Sequence, residues 1–138
     1  MSDLMRLSFS MDEALYRKLE TLIRKSGYTN RSEFIRDLVR NRLVEEAWES
    51  NREALGTVTI IYNHHSRDLS KRLIGLQHDH HRAVLASTHV HLDSDLCAEM
   101  IMIRGRAADI RDFTEELRRQ RGVLHTSLAM GSTGKSLA

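Results

Sequence analysis

A single period-two run with no second strand pattern near it is the strongest constraint on how this chain folds. Met5, Leu7, Phe9 and Met11 alternate with Arg6, Ser8 and Ser10, which gives a strand one dry face and one wet face. Two helical patterns follow before strand-like sequence returns. A lone strand cannot satisfy its own backbone N–H and C=O groups or make a sheet. The run therefore needs a partner, either from the second half of the chain or from a second copy.

The first helix is expected after Ser10–Glu13 or after Asp12, either of which offers a cap to the free N–H groups. Leu15, Leu19, Leu22 and Ile23 form its apolar stripe. Ser26-Gly27 ends it, with Gly27 free to take a left-handed conformation. Asn30 and Glu33 open a second helix in a capping-box-like pattern. Phe34, Ile35, Leu38, Val39 and Leu43 carry its stripe, which runs to about Trp48. Residues 1–50 thus read as β-α-α.

A polar junction near 50–56, closed by Gly56, separates this arm from a stretch with a different rhythm. Thr57–Asn63 is β-rich, Arg67–Gln77 helical, Val84–Leu92 alternating, Leu96–Ile103 its return strand, Arg106–Gln120 helical and Val123–Met130 a last strand. The order βαββαβ is the split, ferredoxin-like arrangement. The expected fold class is α+β, with a regulatory domain over 51–131 and a small, polar, disordered tail over 132–138.

Composition narrows the function. The chain of 138 residues has one cysteine, Cys97, so no internal disulfide forms and the thiol is free for metal or redox chemistry. Asp3, Arg6, Asp12 and Glu13 interrupt any apolar run at the start, so no signal peptide is expected there and the location is expected to be cytoplasmic, without a membrane span. Net charge is only +2, and residues 1–44 hold nine Lys/Arg against six Asp/Glu. Any DNA contact must come from placed cations rather than bulk charge.

Histidine is the anomaly: seven of eight lie between His64 and His91. His89 and His91 stand two apart on a strand and so share a face. If residues 93–95 form the turn, Leu92 pairs with Leu96 and Cys97 stands opposite His91 on that same face. A two-residue turn would flip Cys97 away. Two imidazoles and a thiolate leave a four-coordinate ion one ligand short; spacing leaves His78, His80, His81, His64 and His65 all open. Such a set suits Zn²⁺ if tetrahedral and Ni²⁺ or Cu²⁺ if square-planar.

On the arm, two copies of strand 5–11 paired across a two-fold axis would put both sets of Arg6, Ser8 and Ser10 on one exposed ribbon, a shape that fits the major groove of double-stranded DNA. The second helix's N-terminus, at Asn30, Arg31 and Ser32, offers free N–H groups to a phosphate.

The strand, the segment Gly27-Tyr28-Thr29-Asn30-Arg31-Ser32-Glu33-Phe34-Ile35-Arg36 and the helix order resemble a ribbon–helix–helix domain. With Gln77-His78-Asp79-His80-His81, Thr88-His89-Val90-His91 and Cys97, nearly the whole chain resembles the nickel-responsive transcriptional regulator family (NikR). The resemblance implies an ACT-type regulatory domain, a homotetramer, a two-half-site operator and repression of nickel-uptake genes when Ni²⁺ binds. It implies a square-planar site of His89, His91 and Cys97, with His78 donated by another subunit. It also places Tyr62 and Glu99 around the metal, Glu99 suited to orienting His89, and a secondary cation site at Glu33 and Asp37. Serine at 8 and 10, where threonine is frequent in the family, points to different base preferences.

Other readings remain on the residues alone: a zinc- or copper-binding sensor, a small-molecule-sensing ACT-type regulator, a zinc hydrolase with an open coordination position, or an antitoxin whose second half binds a protein. Four available ligands argue against the hydrolase, and a folded βαββαβ domain argues against the antitoxin.

Overall fold

The computed structural model describes residues 3–138. The chain divides into two compact units, one running through Arg40 and one from Asn41 onward.

The first unit holds helix α1 (Glu13–Lys25) and the first half of helix α2 (Arg31–Glu49). Asp12 is the α1 N-cap residue but its side chain makes no capping bond. Gly27 takes φ +73° just past the helix end, the conformation that only glycine adopts without cost. At α2 the expected cap forms: the Glu33 N–H donates to Asn30 Oδ1 at 2.9 Å. Phe34 and Ile23 are buried, and Tyr28 packs edge-on against Phe34.

Residues 5–11 are not a strand in the single chain; they have no regular structure and are mostly exposed. Leu7 is 86% and Phe9 60% exposed, and Leu15, Leu22, Leu38 and Val39 of the two stripes are also exposed. The physical reason is the one that made the run informative. A strand is defined by its pairing, and one copy of this chain supplies no partner.

The second unit matches the expected βαββαβ order: β1 (Glu53–Asn63), α3 (Leu69–Asp79), β2 (Val84–His91), β3 (Leu96–Arg106), α4 (Ala107–Arg118) and β4 (Val123–Gly131). The sheet order is β2-β3-β1-β4, and every neighbouring pair is antiparallel. Along β1, Ala54, Val58, Ile60 and Tyr62 are buried, and on β3 so are Cys97, Glu99, Ile101 and Ile103. This face packs on Leu69 and Leu73 of α3 and on Ala107, Ile110, Phe113 and Leu117 of α4. Each such large apolar side chain contributes roughly 1.5–3 kcal/mol when fully buried. Period two on the strands and 3.6 on the helices therefore define one core, with both helices on the same side of the sheet.

Two expectations change here. The junction expected at 50–56 is confined to residues 50–52, because β1 begins at Glu53. Gly56 marks close packing rather than a turn: a Cβ there would lie 2.9 Å from Ile110 Cγ2 and 3.1 Å from Leu128 Cδ1. The last turns of α2 belong with the second unit. Trp48 is buried in its core, donates from Nε1 to the Gly131 carbonyl at 3.0 Å and lies under the Arg111 guanidinium. The division accordingly falls inside α2, earlier than residue 50. Residues 132–138 contain no helix or strand, and Lys135 Nζ reaches Glu53 at 3.3 Å. Among the described residues no helix is long and apolar enough to cross a membrane.

Candidate metal centre and nucleic-acid interface

The β2–β3 hairpin has the three-residue turn. Leu92 N–H donates to the Leu96 carbonyl at 2.8 Å, and Asp93 Oδ1 accepts from the N–H groups of Asp95 and Leu96, both at 2.8 Å. Those two backbone donors hold the Asp93 carboxyl below the usual carboxylate range, so the turn keeps its acceptor charged at neutral pH. The turn fixes the register: His91 pairs with Cys97 and His89 with Glu99. Directly opposite residues on antiparallel strands share a face. His89, His91, Cys97 and Glu99 therefore share the face covered by the helices, with Tyr62 opposite Cys97 from the other side.

Three ligand-bearing side chains of the single chain converge. One donor atom each from His64, His91 and Cys97 lies within 4.8 Å of the others, and His91 Nδ1 is 3.3 Å from Cys97 Sγ. With metal–nitrogen and metal–sulfur distances of about 2.0 and 2.3 Å, adjacent N and S ligands stand about 3.1 Å apart at a right angle and about 3.5 Å at the tetrahedral angle. The donor set fits a borderline or soft divalent ion and leaves square-planar and tetrahedral coordination equally open.

His89 lies beside this group, its ring centroid 5.0 Å from that of His91. Tyr62 Oη is 3.1 Å from His89 Nδ1. If Nδ1 carries the ring proton and donates it to Tyr62, Nε2 is left as the ligand atom, the usual arrangement around a metal-binding histidine. Tyr62 is 1% exposed, and burial pushes its phenol above the ordinary range, so it stays neutral.

Glu99 does stand opposite His89, but its contacts differ from those expected. Glu99 Oε1 accepts from Gln77 Nε2 at 3.1 Å and from Ser87 Oγ at 2.9 Å. The carboxylate thus tethers the last turn of α3 to the sheet, and Tyr62 is the group that meets the His89 ring. The contributions of Gln77 and Ser87 had no sequence signal, since neither is unusual at its position.

His78 sits exposed in that last turn of α3, next to the His81 ring, and does not belong to the single-chain cluster. His80 turns inward to Glu116, at 3.3 Å, and the Phe113 ring. His65 pairs with Asp95 at 3.3 Å. His64, one of several equal candidates on spacing, is the histidine that joins His91 and Cys97.

On the arm, Arg6, Ser8 and Ser10 are all exposed. Asn30 acts as the α2 cap, and Ser32 lies exposed in the first turn. Arg31 is engaged rather than free: its Nε donates to Glu20 at 2.5 Å and its Nη2 to Tyr16 Oη at 2.8 Å. The Arg31 guanidinium holds the Glu20 carboxyl below its ordinary range. Glu33 and Asp37 line a shallow depression with Tyr28, Arg36 and Arg40. Asp37 there accepts a short hydrogen bond from Tyr28 Oη and pairs with Arg40 at 3.2 Å.

A ferredoxin-like unit with a His/His/Cys cluster at a hairpin end, joined to an arm of two helices behind the alternating run 5–11, fits a DNA-binding regulator with a metal-binding domain. Two family models match in that order: the ribbon-helix-helix protein, copG family, over residues 5–46, and the NikR C terminal nickel binding domain over residues 55–130. A "Putative nickel-responsive regulator" of Solibacter usitatus is 46% identical over 138 residues, covering 99% of each chain. Proteins of the same name from Geobacter sp. (strain M21) and Geobacter sulfurreducens are 46% and 45% identical over 99% of each chain. The chain belongs to the nickel-responsive regulator family, which is one of transcription regulators and not of enzymes. An uncharacterized protein of Thermotoga maritima shares the fold, at TM-score 0.51 and 11% identity, over 57% of this chain and 98% of its own.

Proposed function

We propose that this protein is a cytoplasmic repressor of nickel-uptake genes, active on a two-half-site operator as a homotetramer when Ni²⁺ is bound. The single observation that carries the reading is the register placing His91 opposite Cys97, with His89 on the same face. Those three residues hold the ion, and His78, exposed at the end of α3, completes the site from a second subunit. Tyr62 orients His89, and Glu99, through Gln77, positions the turn that carries His78. The bound ion supplies a crosslink between subunits.

Several features support assembly. The apolar side chains Leu7, Phe9, Leu15, Leu22, Leu38 and Val39 are exposed in one copy, and exposed apolar surface of this kind marks sites of association when it gathers into patches. Pairing strand 5–11 with its counterpart would cover them and turn Arg6, Ser8 and Ser10 outward. Arg6 then suits a guanine edge. Asn30, Arg31 and Ser32 suit a phosphate, with Arg31 redirected from Glu20. Glu33 and Asp37 are the carboxylates available for a secondary cation.

Metal favours DNA binding only by selecting one quaternary arrangement over others. Nickel at one hundred times its dissociation constant contributes about 2.7 kcal/mol to the selected form. The test is selection of duplex DNA from a random pool, with and without Ni²⁺. A palindromic site should be enriched only with metal, and Arg6→Ala should lower affinity for it by about 1–3 kcal/mol without altering Ni²⁺ binding. Recovery of no sequence, or of the same sequences with and without metal, would refute the reading.

A further inference from the structure

We propose that one chain can hold a borderline divalent ion by itself, through His64, His91 and Cys97, in a site that exists before any second subunit contributes. The proposal rests on the metal-centre reading above and adds His64 to it.

Three observations carry it. The donor atoms of these residues lie within 4.8 Å of one another, a span that one ion can bridge. Second, His64 is already set as a ligand. Its Nδ1 is 3.1 Å from the Asp95 carbonyl, an acceptor only, so Nδ1 carries the ring proton and Nε2 is left with its lone pair. A metal-binding histidine is usually oriented in this way, by a carbonyl or carboxylate on its other nitrogen. Third, the segment bearing His64 is fastened to the hairpin that bears Cys97. The His64 backbone N–H donates to the same Asp95 carbonyl at 2.9 Å. His65 packs against the His64 ring with centroids 3.9 Å apart and pairs with the Asp95 carboxylate at 3.3 Å.

The cross-subunit site and this one share His91 and Cys97, so one ion occupies one or the other. In the single chain His89 is held by Tyr62, outside the cluster. The half-exposed His64 therefore gives an arriving ion a third protein ligand when His78 of another subunit is not in place. Three protein ligands leave a coordination position to water; His78 would enter there, and His89 would take the position that His64 gives up.

The experiment uses the full chain and Ni²⁺ alone as probe, read by the thiolate-to-metal charge-transfer band and by chelator competition. His78→Ala should still bind about one ion per chain, more weakly than the parent, with the thiolate band present. Adding His64→Asn to His78→Ala should weaken binding at least about tenfold further, the lower end of what even an outer partner of a ligand is worth. In the otherwise unaltered chain, His64→Asn should slow appearance of the band after rapid mixing and leave its final intensity unchanged. Circular dichroism of each variant confirms the fold. Equal affinity of His78→Ala with and without His64→Asn, or no thiolate band in His78→Ala, overturns the in-chain site. Unchanged Ni²⁺ binding and spectrum in Cys97→Ala would instead remove the metal centre itself, so the two failures are distinct.

Discussion

Tyr62→Phe removes one oxygen from a side chain that is 1% exposed, leaving the ring's packing beside Leu69 and Leu73 in place. What is lost is the 3.1 Å contact between Tyr62 Oη and His89 Nδ1, the only hydrogen bond that orients the His89 ring among the described residues, together with the phenol's hydrogen bond with Ser70. Partners of this kind are typically worth 10–100-fold in metal affinity, or about 1.4–2.7 kcal/mol. His89 is exposed, so water can replace the phenol at Nδ1, which places the expected loss near the tenfold end. Because burial raises the Tyr62 phenol, the group stays protonated across the neutral range and the effect should not vary with pH there. Competition of the purified protein against a chelator for Ni²⁺ measures the loss. The stability of the metal-free variant, expected to fall by no more than two ordinary hydrogen bonds' worth, about 2 kcal/mol, separates it from damage to the core. Affinity within twofold of the parent would refute the assignment of Tyr62 as the group that positions His89.

Two further perturbations probe the scaffold and the arm. Gly56→Val should destabilise the metal-free protein by at least about 1–3 kcal/mol in denaturant titration, since even its Cβ meets Ile110 Cγ2 at 2.9 Å and Leu128 Cδ1 at 3.1 Å; a neutral effect would mean that α4 is not packed there. Tyr28 Oη, donating to Asp37, holds that carboxyl below its ordinary value. Tyr28→Phe should raise the Asp37 titration midpoint seen by NMR. The contact stabilises the parent above the ordinary carboxylate range and is lost as pH falls through the depressed value, so the variant should show the smaller loss of stability on acidification. A lower or unmoved Asp37 midpoint contradicts the assignment.

The second unit was legible because its patterns are redundant. Period two on each strand, period 3.6 on each helix and the Asp93–Asp95 turn all specify the same register, and that register alone puts His91 across from Cys97. The arm was legible only as a demand for a partner: residues 5–11 alternate correctly, yet a single copy leaves them unpaired. Gly56 misled because a glycine before a β-rich run reads as a turn, and only the approach of Ile110 from α4 explains it. Trp48, far from its partner in sequence, gave no sign that the end of α2 would bond to the Gly131 carbonyl. The choice among His64, His65, His78, His80 and His81 was not legible from spacing. It depends on backbone contacts such as Asp95 to His64 and on tertiary ones such as His80 to Glu116, and, on the proposed reading, on a second copy of the chain that donates His78.

That last point is open to a direct measurement. His78→Ala subunits keep the hairpin but cannot donate His78; Cys97→Ala subunits can donate His78 but lack the sulfur. After co-refolding the two, tight Ni²⁺ binding absent from either alone should return, at a stoichiometry set by the fraction of mixed contacts. If the mixture binds no more tightly than the sum of the separate variants, the ligands do not come from different chains and the account of nickel as a bridge between subunits is wrong.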